Sequence, residues 1–145
     1  MLPYFCLFPR EAPYKRLVSG GCPREAEQMK PLNVLVVDDD PSIRLLLRIA
    51  FTVEDGFGEV REAVDGADAV RVCEEFRPDV VLLDYWMPTM DGGAAAVRIK
   101  EMHPVARIVA FSGVIEGKPE WADEFVVKGR APGLDSLIKY ARGAA

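Results

Sequence analysis

Metal-sulfur and disulfide chemistry have little to work with in this chain. Its 145 residues include three cysteines, Cys6, Cys22 and Cys73, an odd set without the spacing of a zinc site. Cys73 falls on the apolar face of a helix-period segment, so all three read as reduced thiols of a cytoplasmic protein. Histidine is nearly absent. His103, the single one, precedes Pro104 at a helix end, where it reads as a partner of the helix dipole and not as a catalyst. No apolar run approaches the length that crosses a bilayer. Basic residues are outnumbered 18 to 23, for a formal charge of −5. Residues 1–30 carry five Lys/Arg against three Asp/Glu, leaving thirteen against twenty elsewhere. So acidic a body argues against nucleic-acid binding. The length suits one soluble domain with a real core.

Residues 1–30 differ from the rest: four prolines, a Gly-Gly pair and scattered aromatics show no period. The apolar opening is too short and proline-broken for a secretory signal. This stretch reads as a disordered extension, either a flexible arm or sequence upstream of an alternative start at Met29, with the folded domain over residues 31–145.

What the chain does have is acid at the ends of apolar strands. Asp38, Asp39 and Asp40 close the run Val34-Leu35-Val36-Val37, and Asp84 closes Val80-Val81-Leu82-Leu83. In a parallel sheet covered by helices, the C-terminal ends of neighbouring strands share one edge, so both acidic ends would line one crevice. Crowded carboxylates repel, and a fold tolerates them mainly where a divalent cation or a bound group offsets the repulsion.

From Leu32 onward, short apolar runs alternate with helical periods. Strands are expected at Asn33 to Val37, near Glu59 to Ala63, and at Asp79 to Leu83, Arg107 to Phe111 and Glu124 to Val127. Asp40-Pro41 reads as an N-cap with proline at the first helical position. The first helix presents Ile43, Leu46, Leu47 and Ala50 inward and ends at Gly56 and Gly58. The second spans about Ala67 to Phe76 with Ala69, Val70, Cys73 and Phe76 inward, and the third about Gly93 to Met102. A short last helix carries Leu134, Leu137, Ile138 and Ala141 on its inner stripe.

The strings "VLVVDDDPSIR", "VLLDYWMPTMDG", "IVAFSG" and "EFVVKG", in that order and each at a strand end, resemble the receiver domain of two-component response regulators, of the stand-alone chemotaxis-regulator kind. The resemblance covers about Pro31 to Arg142. It implies a doubly wound five-stranded parallel sheet in order 2-1-3-4-5. It further implies Asp84 as phosphoacceptor and Mg²⁺ held by Asp39, Asp84 and the Trp86 backbone carbonyl, with Asp38 acting through water. Lys128 and Ser112 would contact phosphoryl oxygens, and Ser112 with Phe125 would form the switch pair. The implied partners are a histidine kinase or phosphotransfer protein and an unidentified downstream protein, with neither nucleic acid nor membrane. No enzymatic activity is implied beyond the protein's own aspartyl phosphorylation and dephosphorylation. The chain leaves no length for an output module.

Asp40 reads as a helix cap and Asp91-Gly92 as turn chemistry. "VLVVDDDPS" also resembles the first motif of haloacid-dehalogenase-type phosphatases, with Asp38 as nucleophile and Asp40 as acid/base, but no acidic pair follows Lys128. Two departures from the receiver pattern point to a further alternative, an interaction module independent of phosphate. Ser112 and Lys128 are sixteen positions apart, short of the family spacing by about one and a half helical turns. The loss falls on the usual fourth helix, where Gly117 and Pro119 leave at most one turn, with Trp121 exposed as an anchor for a partner. Gly129 stands where the family has proline, which loosens the aim of Lys128.

Overall fold

The computed structural model describes residues 30–113, 117–129 and 133–143. Five strands and four helices lie among the described residues, in the order β1 (Leu32–Val37), α1 (Pro41–Val53), β2 (Phe57–Ala63), α2 (Gly66–Glu75), β3 (Val80–Leu83), α3 (Gly92–Met102), β4 (Arg107–Ser112), β5 (Glu124–Val127) and α4 (Gly133–Ala141). The sheet order is β2-β1-β3-β4-β5 with every pair parallel. This is the doubly wound, flavodoxin-like arrangement expected from the sequence.

Strand alternation sorts the central residues into two layers. Leu35, Val37, Val81, Leu83 and Ile108 face one side, where Ala69 and Cys73 of α2 and Ala95, Ala96 and Ile99 of α3 cover them. Val34, Val36, Val80, Leu82 and Val109 face the other, beneath Leu47 and Phe51 of α1 and Leu137, Ile138 and Ala141 of α4. Both faces of β1 and β3 are therefore buried, which is why those strands are apolar without alternation.

Several boundaries and faces shift from expectation. The inner stripe of α1 is Leu47, Ala50 and Phe51, with Leu46 exposed. The helix is rotated so that Phe51 meets Phe57 edge to face, ring centroids 4.8 Å apart. In α2, Val72 packs on the core where Val70 was expected, and Leu134 of α4 is exposed. Gly58 lies inside β2, not at the end of α1. No helix stands between β4 and β5 among the described residues. One turn closed by Ala122 N–H donating to the Pro119 carbonyl occupies that place. Residues 1–29 and 114–116 lie outside the described residues.

Three helices start on an aspartate. Asp40 accepts from Ser42 N–H, Asp65 from Asp68 N–H and Asp91 from Ala94 N–H, each satisfying an otherwise orphaned donor. Asp91 thus does more than make a turn. His103 caps the other end of α3 and its Nε2 meets the Cys73 carbonyl at 2.8 Å, tying α3 to α2. No helix among the described residues is long and apolar enough to cross a membrane.

Candidate functional site

Strand register delivers the site. Val37 pairs with Leu83, Leu83 with Ala110, and Ser112 with Val127. Asp38 and Asp84 are therefore the next residues beyond adjacent rungs, and Lys128 follows Val127 of β5 at the same edge, two strands over from Asp84. Asp84 N–H continues the ladder to the Val37 carbonyl at 3.0 Å, and Lys128 N–H bonds the Ser112 carbonyl at 3.2 Å. Backbone pairing, not side-chain contact, brings these residues together.

One carboxylate oxygen from each of Asp38, Asp39 and Asp84 falls within 4.8 Å of the others. Asp38 is 1% exposed and Asp84 7%, while Asp39 is open to solvent. Lys128 Nζ donates to Asp84 Oδ2 at 2.8 Å. It also lies 2.5 Å from Asp38 Oδ2, a second ion pair. Asp84 Oδ1 accepts from the Tyr85 N–H at 2.7 Å, and Asp38 Oδ1 from the Asp40 N–H at 2.9 Å.

Burial raises the Asp38 pKa above its ordinary 3.8, with the Asp84 charge adding to it, and Lys128 and the Asp40 N–H only partly oppose the rise. Burial alone would lower the Lys128 pKa, but bonds and charges from Asp38 and Asp84 outweigh it and the pKa is raised. Lys128 is therefore a fixed cation between two buried carboxylates. Its ammonium also sits 5.6 Å from the Phe111 ring centroid. These contacts aim the side chain although Gly129, at φ +73°, gives the following backbone a left-handed turn.

Ser112, the last residue of β4, is fully buried and its Oγ has no hydrogen-bond partner, which leaves a donor uncommitted at the end of that strand. Phe125 pairs with Ala110, placing it on the same sheet face as Ser112 and half-buried. Trp86 is 58% exposed, and its ring meets Tyr85 edge to face at 5.0 Å. Trp121 is not the exposed anchor expected. Its half-buried ring stacks on Tyr85, centroids 6.0 Å apart at 20°, and lies against Gly93 at the start of α3. Trp121 thereby packs on the residue next to Asp84.

Two residues at this edge escaped the sequence reading. Gly92 donates its N–H to the Tyr85 carbonyl at 2.9 Å and packs on the Asp84 backbone, where a side chain would clash. Arg44 Nη1 donates to the Asp38 carbonyl at 2.6 Å. A signal for Arg44 existed, since a cation in the first turns of a helix opposes the dipole and calls for a reason.

Residues 34–130 match the response regulator receiver domain family. The chain is 38% identical over 101 residues to the chemotaxis protein CheY of Bacillus subtilis, covering 66% of this chain and 83% of that one. It is 40% identical over 87 residues to a protein-glutamate methylesterase/protein-glutamine glutaminase of Geobacter metallireducens, covering 60% of this chain but only 25% of the relative. Among solved structures, the response regulator TrrA of Thermotoga maritima in complex with Mg(2+)-BeF superposes with a TM-score of 0.68 at 30% identity, covering 77% of this chain and 97% of that one. The chain belongs to the response regulator receiver domain family of two-component signalling.

Proposed function

We propose that this receiver domain, residues 31–145, accepts a phosphoryl group from a phosphohistidine donor onto Asp84 and signals by protein contact. The observation that carries the reading is the buried Asp84 carboxylate, flanked by Asp38 and Asp39 and bonded to Lys128.

The carboxylates of Asp38, Asp39 and Asp84 are a compact all-oxygen set, which suits a hard divalent cation such as Mg²⁺, with the Trp86 carbonyl as the further oxygen that the family resemblance implies. Its similarity to TrrA, a protein crystallised with Mg(2+)-BeF, supports that assignment. When bound, the cation neutralises charge that would otherwise keep an anionic phosphoryl group away.

The remaining work falls to the chain. A carboxylate oxygen of Asp84 attacks phosphorus, the bond from phosphorus to the donor imidazole nitrogen breaks, and the imidazole leaves with the electron pair. Lys128 moves from pairing carboxylates to pairing a phosphoryl oxygen, and the unpartnered Ser112 hydroxyl donates to another. Phe125, on the same face as Ser112, is the aromatic that follows that movement. Neither enzymatic turnover of other substrates nor nucleic-acid binding belongs to this reading, and its site of action is the cytoplasm.

Incubation with acetyl phosphate tests it. One phosphoryl group per chain, abolished by chelating Mg²⁺, is expected. Sustained hydrolysis of a generic phosphate ester would mean a phosphatase, and no labelling would mean a phosphate-independent interaction module.

A further inference from the structure

Between α1 and the acidic edge runs a polar chain that the phosphoryl chemistry does not use. Arg44 lies in the second turn of α1, 15% exposed, and its Nη1 donates to the Asp38 carbonyl at 2.6 Å. Its Nε faces Glu62 of β2 at 3.9 Å, and Glu62 also pairs with Arg48 at 3.5 Å. The Asp38 side chain is tied separately, through Oδ1 to the Asp40 N–H. The peptide joining Asp38 to Asp39 is therefore held from its carbonyl by Arg44, and Asp39, exposed and without a hydrogen-bonded partner of its own among the described residues, hangs directly from that peptide.

Two physical costs attend Arg44. Near the start of α1 the helix dipole disfavours a cation, a cost that the N-cap Asp40 partly offsets. Arg44 also places positive charge near oxygens suited to a divalent cation, which on charge alone weakens cation binding. What sets against these costs is the bond Arg44 makes to the Asp38 carbonyl.

We infer that Arg44 is a positioning residue, which, steadied by Glu62, fixes the Asp38–Asp39 peptide and so presents the Asp39 carboxylate to Mg²⁺. This rests on the reading of the acidic cluster as a Mg²⁺ site. Groups that orient metal ligands from outside the coordination shell commonly contribute about tenfold or more to affinity.

The two effects of Arg44 have opposite signs, and that makes the inference decidable. Mg²⁺ titration of the full chain, followed by tryptophan fluorescence and by the Mg²⁺-induced rise in Tm, should give R44Q an affinity weaker by about tenfold, although a cation has been removed. R44K, which keeps the charge and can reach the carbonyl with one donor, should fall between R44Q and the parent, and E62Q should show a smaller loss. Equal or tighter Mg²⁺ binding by R44Q overturns the inference, as does a lower Tm with unchanged Mg²⁺ affinity, since that is a structural role only. If R44Q does not fold, R44K decides: binding equal to the parent overturns the inference. A parent protein indifferent to Mg²⁺ overturns both this inference and the proposed cation site, whereas a responsive parent with an equally responsive R44Q overturns this inference alone.

Discussion

Gly92 packs against the carbonyl oxygen of Asp84 so closely that a side chain at position 92 would overlap it. The obstacle is backbone, which cannot swing aside as the end of a flexible side chain can. G92A should therefore displace the Asp84 loop, destabilise the protein by about 1–3 kcal/mol in denaturant unfolding, and depress labelling by acetyl phosphate. Parent-like stability and labelling would show that the loop yields without cost.

Thr89, in the same loop, has φ +72°. A β-branched residue is poorly suited to the left-handed region, whereas asparagine tolerates it. T89N should raise stability by roughly 1 kcal/mol through relief of this strain. An unchanged or lower Tm would mean that the threonine side chain contributes more than its backbone costs.

These two sites mark where sequence reading stopped. Asp38, Asp39 and Asp84 were legible because each follows a run of apolar residues, and a parallel sheet aligns such ends. Lys128 and Ser112 were legible only through the order of their motifs, for neither residue type is unusual in a loop. Gly92 read as a turn because the approach of the Asp84 carbonyl is a tertiary fact. Trp121 read as exposed because its stacking partner, Tyr85, lies far off in sequence. On α1, Leu46 and Phe51 compete for one apolar stripe, and the edge-to-face contact with Phe57 settles the rotation in favour of Phe51. The lack of a helix between β4 and β5 among the described residues was legible from spacing and from Gly117 and Pro119, but the packing of Trp121 there was not.

Loss of Lys128 should be pH-dependent. In K128M, Asp38 and Asp84 would be buried without their cation, at a cost of about 2 kcal/mol, below that of a fully buried pair because the ammonium is partly exposed. Burial already raises the Asp38 pKa above 3.8, and removing Lys128 raises it further. A carboxyl with a raised folded-state pKa weakens the fold above its unfolded value, and the penalty fades as pH falls towards it. The K128M deficit measured by chemical unfolding should thus be greatest at neutral pH and shrink towards pH 4. A deficit constant across that range would place its origin in lost packing over Phe111.

The central claim, that Asp84 is the sole phosphoacceptor, is tested most directly by intact-mass measurement of parent and D84N protein after incubation with acetyl phosphate and Mg²⁺. The account predicts one phosphoryl group on the parent and none on D84N, which should remain folded because the substitution removes charge from a crowded acidic site. D84N protein labelled as fully as the parent would contradict it.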